Sequence, residues 1–417
     1  GLGDVYKRQL AGAGASSGMA MAHWEIQGWM ILILGWVFVP FYTRSMVYTM
    51  PEFLERRYNP QSRTILSVIS LVSYVLTKVA VTVYAGGLVF QQVFGIKELW
   101  GIDFFWIAAI GLVVLTALYT IFGGMKSVLY TSVLQTPILL LGSLIILVLG
   151  FKELGGWDEM MRVCGAVTVN NYGDTMTNLI RSNDDANFPW LGALIGSAII
   201  GFWYWCTDQF IVQRVLSGKN EMEARRGTIF GAYLKLLPVF LFLIPGMIAF
   251  ALHQKYIGAG GEGFLPMLAN GTANADAAFP TLVAKLLPAG VKGLVVCGIL
   301  AALMSSLASL FNSSAMLFTI DFYKRFRPET PEKKLVGIGQ VATVVIVILG
   351  ILWIPIMRSV GDVLYTYLQD VQSVLAPGIA AAFLLGICWK RTSAQGGMWG
   401  LIAGTVSYTH LTLPTKR

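Results

Sequence analysis

The 417 residues are 56% hydrophobic and only 12% charged, with net charge +8 and mean hydropathy +0.67. Soluble domains carry about 25% charged residues, so the composition excludes an ordinary soluble domain, and with it a nucleic-acid-binding reading of the positive charge. The four cysteines (Cys164, Cys206, Cys297 and Cys388) are scattered without metal-ligand spacing and imply no disulfide framework.

In chain order, Leu10–Ala22 is rich in Gly, Ala and Ser and too short to cross a bilayer, so it reads as half of a helix. Helices are expected over 24–48, 63–96, 103–123, 128–152, 190–216, 222–250, 289–323, 335–357 and 362–387, with a last one from about 393. Lipid cannot satisfy backbone polar groups, and no ten-residue alternating strands appear, so the fold class is an all-α polytopic membrane protein. About ten to eleven helices fit this fragment at about 20 apolar residues per span. The end runs GLGDVYKRQ and SYTHLTLPTKR resemble translated sequencing-adapter read-through, each against an apolar segment that breaks off mid-pattern. Residues 1–9 and 407–417 are therefore set apart as artefacts, genuine polar tails being the other reading. Residues 10–406 then form a single transmembrane domain that lacks the first half of helix one and has its last helix cut off.

Charge in the connections orients the chain. One alternate set holds sixteen basic residues: Arg44, Arg56, Arg57, Arg63, Lys126, Arg214, Lys219, Arg225, Arg226, Lys324, Arg325, Arg327, Lys333, Lys334, Lys390 and Arg391. The other set holds eight: Lys97, Lys152, Arg162, Arg181, Lys255, Lys285, Lys292 and Arg358. The richer set faces the cytoplasm, which turns the long connections 153–189 and 251–288 outward.

Polar residues within the spans carry the chemistry. Glu25, in AMAHWEIQGW, either sits at the outer interface or faces a cavity or partner. Lys78, in SYVLTKVAVT, reads as an internal pair that holds helices in register rather than as a ligand contact. Lys235, in GAYLKLLPVF, lies near a helix end, where snorkelling is open to it. Phe202–Arg214 (FWYWCTDQFIVQR) crowds aromatics before Thr207, Asp208 and Gln209. That is either an interfacial belt or a place where a sugar ring stacks while its hydroxyls are bonded. Ala301–Ser314 (AALMSSLASLFNSS) has small residues that permit close helix packing. Its serine hydroxyls and nearby carbonyls also suit a dehydrated Na⁺, a hard cation that prefers oxygen.

These two segments, with VYTMPEFLERRYNPQSRTILSVISLVSYVLTK, GAYLKLLPVFLFLIPGM, LMSSLASLFNSSAMLFTIDFYKRF and APGIAAAFLLGICWKR, resemble the sodium/solute symporter family, and within it the sodium–glucose cotransporter branch. The resemblance covers essentially all of residues 10–406 and rests on the number and order of the motifs. It implies a LeuT-like core of two inverted five-helix repeats, with the substrate at the midplane and helix one broken. It also implies site residues. Glu25, Lys235 and Gln369 would hydrogen-bond sugar hydroxyls, and Tyr204 would be an inner gate stacked on the ring with Trp205 beside it. Ala302 through its carbonyl, and Ser305 and Ser306 through their hydroxyls, would form half of a Na⁺ site. The other half would precede Leu10, where GLGDVYKRQ stands. Ser132 occupies a position where many relatives carry Asp, and Ala308 one where two-sodium relatives carry Thr, so one Na⁺ per substrate is expected. Gly28 and Gly201 fall where relatives can be polar.

The implied function is Na⁺-coupled secondary active symport of a glucose- or galactose-like sugar by alternating access, in the plasma membrane (a bacterial inner membrane). Symport of inositol, a sialic acid or another organic solute, and a membrane sensor that does not transport, are the alternatives. No enzyme is expected, since the three histidines (His23, His253 and His410) form no HExxH or Ser/His arrangement. The implied partners are the sugar, Na⁺ as coupling ion and the bilayer, with no nucleic acid.

Overall fold

The computed structural model describes the backbone of residues 4–185, 187–268, 271–360 and 364–412. The described chain is helical nearly throughout. In order come α1 (Asp4–Ser17), α2 (23–45), α3 (Met50–Arg57), α4 (60–94), α5 (Phe104–Leu154) and α6 (Trp157–Gly165). Then follow α7 (190–207), α8 (Gln209–Leu216), α9 (Glu221–Leu234), α10 (237–258) and α11 (Ala278–Leu286). The last four are α12 (289–326), α13 (Glu332–Val360), α14 (Leu364–Cys388) and α15 (Ala394–Thr412). A two-residue hairpin pairs Glu98–Leu99 with Ile102–Asp103 before α5. Among the described residues, eight helical stretches are long and apolar enough to cross a membrane.

Local sequence chemistry sets the boundaries. Asn59 and Thr49 accept the N–H of Ser62 and Glu52, capping α4 and α3, and each of these helices has Pro in its first turn. Asp103 caps α5 through Phe105 N–H, and Gly155 ends it in the left-handed conformation.

Three expectations change. The helices expected over 103–123 and 128–152 form one continuous helical backbone, α5. Gly123 and Gly124 each cost about 1 kcal/mol against alanine there, less than leaving backbone groups unbonded in an apolar medium. The helix expected over 190–216 is interrupted at Asp208, whose extended backbone (ψ 125°) lets its side chain cap α8. The helix expected over 222–250 is interrupted at Lys235 and Leu236, just ahead of Pro238, which lacks the N–H that Leu234 C=O would need.

The packing divides the chain into two compact units, each assembled from separate stretches of sequence. One comprises Gly1–Ile26, Val81–Ile195 and Lys235–Ala308; the other comprises Gln27–Ala80, Gly196–Leu234 and Ser309–Arg417. In the first, α1 lies hard against α10. A Cβ at Gly246 would stand 2.0 Å from Ala11 O, and one at Gly14 would stand 2.4 Å from Leu243 O, so only glycine permits the approach. The helix breaks after α1 at Gly18 (φ +71°), where Met19 N–H bonds Met176 O at 2.8 Å. The connection 153–189 is tied there again by Arg181 to Ser17 O and by His23 Nε2 to Leu179 O at 2.9 Å.

In the second unit, Arg57 bonds the carbonyls of Gly386 (2.6 Å), Trp389 (3.0 Å) and Thr392 (3.3 Å) at the end of α14. Arg63 bridges Asp321 and Glu55, both at 2.6 Å. Thr49 donates to the same Asp321 oxygen at 2.9 Å.

Candidate functional site

Several of the residues singled out by sequence lie where helices are broken or underwound. Tyr204 and Trp205 lie in the π-helical turn Phe202–Thr207, and Lys78 in the π-helical turn Tyr74–Val79. Such turns are rare and recur at functional sites. Lys235 sits in the interruption between α9 and α10.

In the first unit, Lys235 donates to Glu25 Oε2, and the two side chains are 2% and 0% exposed. The interface and snorkelling readings are therefore both wrong, because neither side chain reaches the surface. Two charges leave water only when they pair, and the helix interruption turns Lys235 inward. Glu25 Oε1 is buried without a hydrogen-bond partner among the described residues. An orphaned carboxylate oxygen costs free energy until something donates to it, and a hydroxyl is a suitable donor.

The same unit holds Ala302, Ser305 and Ser306. Their i, i+3, i+4 spacing on α12 places them on one face, and all three are buried. Helix α5 backs this face. Tyr119 Oη donates to Met304 O at 2.7 Å, and Ser132 Oγ lies 2.5 Å from Ser305 Oγ. Ser306 Oγ is buried with no hydrogen-bond partner among the described residues. Oxygen donors with one orphan among them fit a hard monovalent cation.

In the second unit, the Tyr204 and Trp205 rings meet edge to face with centroids 4.9 Å apart. Lys78 Nζ lies 4.9 Å from the Tyr204 ring, 4.7 Å from Tyr74 and 5.1 Å from Phe210. It pairs with Asp208, which also accepts from Tyr74 Oη and from Phe210 N–H at 3.1 Å. The internal pairing expected of Lys78 is thus present, and its partner is the residue that breaks the helix. Gln369 falls on α14, and its side chain lies outside the described residues.

Residues 9–404 match the sodium:solute symporter family. The chain belongs to that family. It is 38% identical over 408 residues to sodium/myo-inositol cotransporter 2 of Homo sapiens, and 40% identical over 408 residues to sodium/glucose cotransporter 4 of the same species. Each alignment takes in 95% of this chain and 59% of the relative, so the chain spans about three fifths of their length. A Na⁺-coupled sialic acid symporter, solved in a substrate-bound outward-open state, superposes with a TM-score of 0.76 at 21% identity, over 98% of this chain and 87% of that one. This shows the expected LeuT-like fold.

Within this symporter fold, sequence reasoning missed two polar groups. Gln27 is 4% exposed with Oε1 unpartnered among the described residues, and that oxygen lies 3.0 Å from where a Gly201 Cβ would be. Its signal is a polar residue two positions beyond Glu25 in an apolar helix. Tyr74, the second donor to Asp208, carries no signal of its own, since a tyrosine in an apolar helix is common.

Proposed function

We propose that the protein is a plasma-membrane symporter that couples inward Na⁺ movement to uptake of a glucose- or galactose-like sugar, with one Na⁺ per sugar. It performs no enzymatic chemistry, and residues 10–406 act as one transport domain. Glu25, Lys235 and Gln369 bond sugar hydroxyls, Tyr204 stacks on the ring with Trp205 beside it, and Ala302, Ser305 and Ser306 supply oxygens to Na⁺.

The observation that carries this reading is the buried Glu25–Lys235 pair, with Glu25 Oε1 lacking a hydrogen-bond partner among the described residues. A neutral polyhydroxy ring both donates to a carboxylate and accepts from an ammonium, so it can enter without leaving either charge unbonded. A carboxylate solute would meet repulsion from Glu25. Two relatives named for glucose and myo-inositol, both six-membered rings dense in hydroxyls, support the same chemistry. The wrong ring would leave a buried group unpaired, which is how such sites discriminate.

One Na⁺ suffices energetically. A 100 mV potential supplies about 2.3 kcal/mol per charge, and a tenfold gradient adds about 1.4 kcal/mol, together enough for several hundredfold accumulation. The single-ion stoichiometry is supported by Ser132, a neutral residue whose hydroxyl already contacts Ser305 and donates to Val128 O at 2.7 Å. Ala308 offers no side-chain oxygen. Na⁺ that favours the sugar-competent state is itself bound more tightly when sugar is present, by linkage.

The test is uptake into proteoliposomes with Na⁺ outside, then K⁺. Concentrative uptake of labelled glucose or galactose only with Na⁺ is the expected result. Na⁺-driven uptake of myo-inositol without glucose would keep the coupling and change the substrate. No Na⁺-dependent flux of any polyol would overturn the reading.

A further inference from the structure

The second unit carries a groove of about 1090 Å³ between α4 and α13 that the proposed transport cycle does not use. Leu71, Val75 and Leu76 of α4, Phe318 of α12, and Val341 and Leu349 of α13 line it. It runs along α13 from Lys334 to Trp353, about 28 Å at 1.5 Å per residue, close to the roughly 30 Å hydrocarbon thickness of a bilayer. Apolar surface facing lipid is ordinary. The polar groups at one end of this groove are not.

Tyr323 and Lys334, which flank the connection from α12 to α13, both line that end. This connection belongs to the cytoplasmic set. It holds Lys324, Arg325, Arg327, Lys333 and Lys334 against Glu329 and Glu332. Lys333 and Lys334 fall in the first turn of α13, where the helix dipole disfavours cations and favours anions. Lys334 is exposed and makes no ion pair among the described residues. The groove's own lining is apolar, and the exposed Lys334 ammonium stands at its cytoplasmic edge, so groove and lysine together have the polarity of an amphiphile.

We propose that the cytoplasmic half of this groove binds an anionic phospholipid of the cytoplasmic leaflet, whose hydrocarbon is about half of the bilayer's roughly 30 Å, with its acyl chain between α4 and α13 and its phosphate at Lys334. An apolar helix from a second protein would fill the same trough but has no use for a cation at one end. A neutral phospholipid gains less from Lys334, because its own headgroup cation is repelled.

The test uses nanodiscs of phosphatidylcholine with or without phosphatidylglycerol, read by native mass spectrometry and thermal melting. The wild-type protein is expected to retain phosphatidylglycerol preferentially and to melt higher in the anionic discs. Lys334→Gln should weaken phosphatidylglycerol retention about fivefold, the worth of one lysine near a membrane surface, with melting in phosphatidylcholine unchanged. Lys390→Gln, a cytoplasmic-set lysine outside the groove, should behave as wild type. Ala342→Trp fills the groove and should abolish retention with Lys334 intact. Equal retention by wild type, Lys334→Gln and Ala342→Trp would overturn the proposal, as would a dimer that buries α13 in place of lipid.

Discussion

The two buried ion pairs, Glu25–Lys235 and Lys78–Asp208, have the same chemistry and opposite surroundings. Asp208 is saturated: it takes Lys78, Tyr74 Oη and the N–H of Phe210, while Lys78 is enclosed by the rings of Tyr74, Trp203, Tyr204 and Phe210. Glu25 keeps one buried oxygen without a hydrogen-bond partner among the described residues. A saturated pair has nothing to offer a ligand and everything to lose by moving, so it serves as framework for Tyr204. A pair with an orphaned acceptor stores unmet hydrogen bonding that a ligand can satisfy. On the proposed function, the difference separates structural charges from binding charges where burial alone does not, because all four side chains are buried.

The largest expected effect breaks the framework pair. Lys78→Ala leaves Asp208 charged and buried, a loss of about 3–5 kcal/mol, and should sharply lower both melting temperature and the folded yield in membranes. The next prediction removes both partners of each pair. Glu25→Leu with Lys235→Met replaces a buried pair by apolar volume, which is often neutral for stability. Its melting point should stay within a few degrees of wild type while sugar uptake is lost at least a hundredfold. Lys78→Met with Asp208→Leu should remain clearly destabilised, since Tyr74 Oη and the α8 N-terminus both lose an acceptor, at about 1–3 kcal/mol each. Equal melting points for the two double variants would erase the distinction drawn here.

Much of this arrangement was legible in the sequence. Lipid forces helix on every span, so apolar length alone located α4, α13 and α14 closely. The rarity of charge within those spans marked Glu25, Lys78 and Lys235 as residues that need an explanation. The pairings were not legible. Glu25 and Lys235 stand 210 positions apart, and nothing local says which cation meets which carboxylate. Asp208 looked like one polar residue in a motif, because its role depends on an extended backbone that only the break between α7 and α8 creates. Pro238 did announce the interruption at Lys235, through its missing N–H, yet the hydropathy of 222–250 reads as one uninterrupted helix. For the proposed Na⁺ ligands the spacing of Ala302, Ser305 and Ser306 was readable, but the orphaned Ser306 hydroxyl and the Ser132–Ser305 contact needed coordinates.

Ser306 gives a smaller and cleaner test of the orphan rule. Its hydroxyl has no hydrogen-bond partner to lose among the described residues, so Ser306→Ala should leave the melting point unchanged or slightly raised. The Na⁺ concentration for half-maximal uptake should rise about tenfold, the equivalent of about 1.4 kcal/mol. A fall in stability with unaltered Na⁺ dependence would place Ser306 in the framework class.

The smallest effect extends the comparison to the Arg181–Asp185 pair in the connection 153–189, at 3.7 Å with both side chains 3% exposed. Burial pushes the Asp185 carboxyl up. Asn170 Nδ2 (2.6 Å), the N–H groups of Asn187 and Phe188 (both 2.8 Å) and the Arg181 charge outweigh it, so the carboxyl titrates below its ordinary range. A depressed folded-state value contributes stability that is fully present above the unfolded value, about 3.9, and is lost only as pH falls through the folded one. This is the saturated case again, with the partners counted on a carboxylate in a connection between helices. Asp185→Asn should therefore lower the melting point by the same small amount at pH 8 and at pH 5, the gap from wild type closing only below about pH 4. A gap that closes between pH 7 and pH 5 would mean that Asp185 is not held by these donors, and that counting partners fails for this carboxylate.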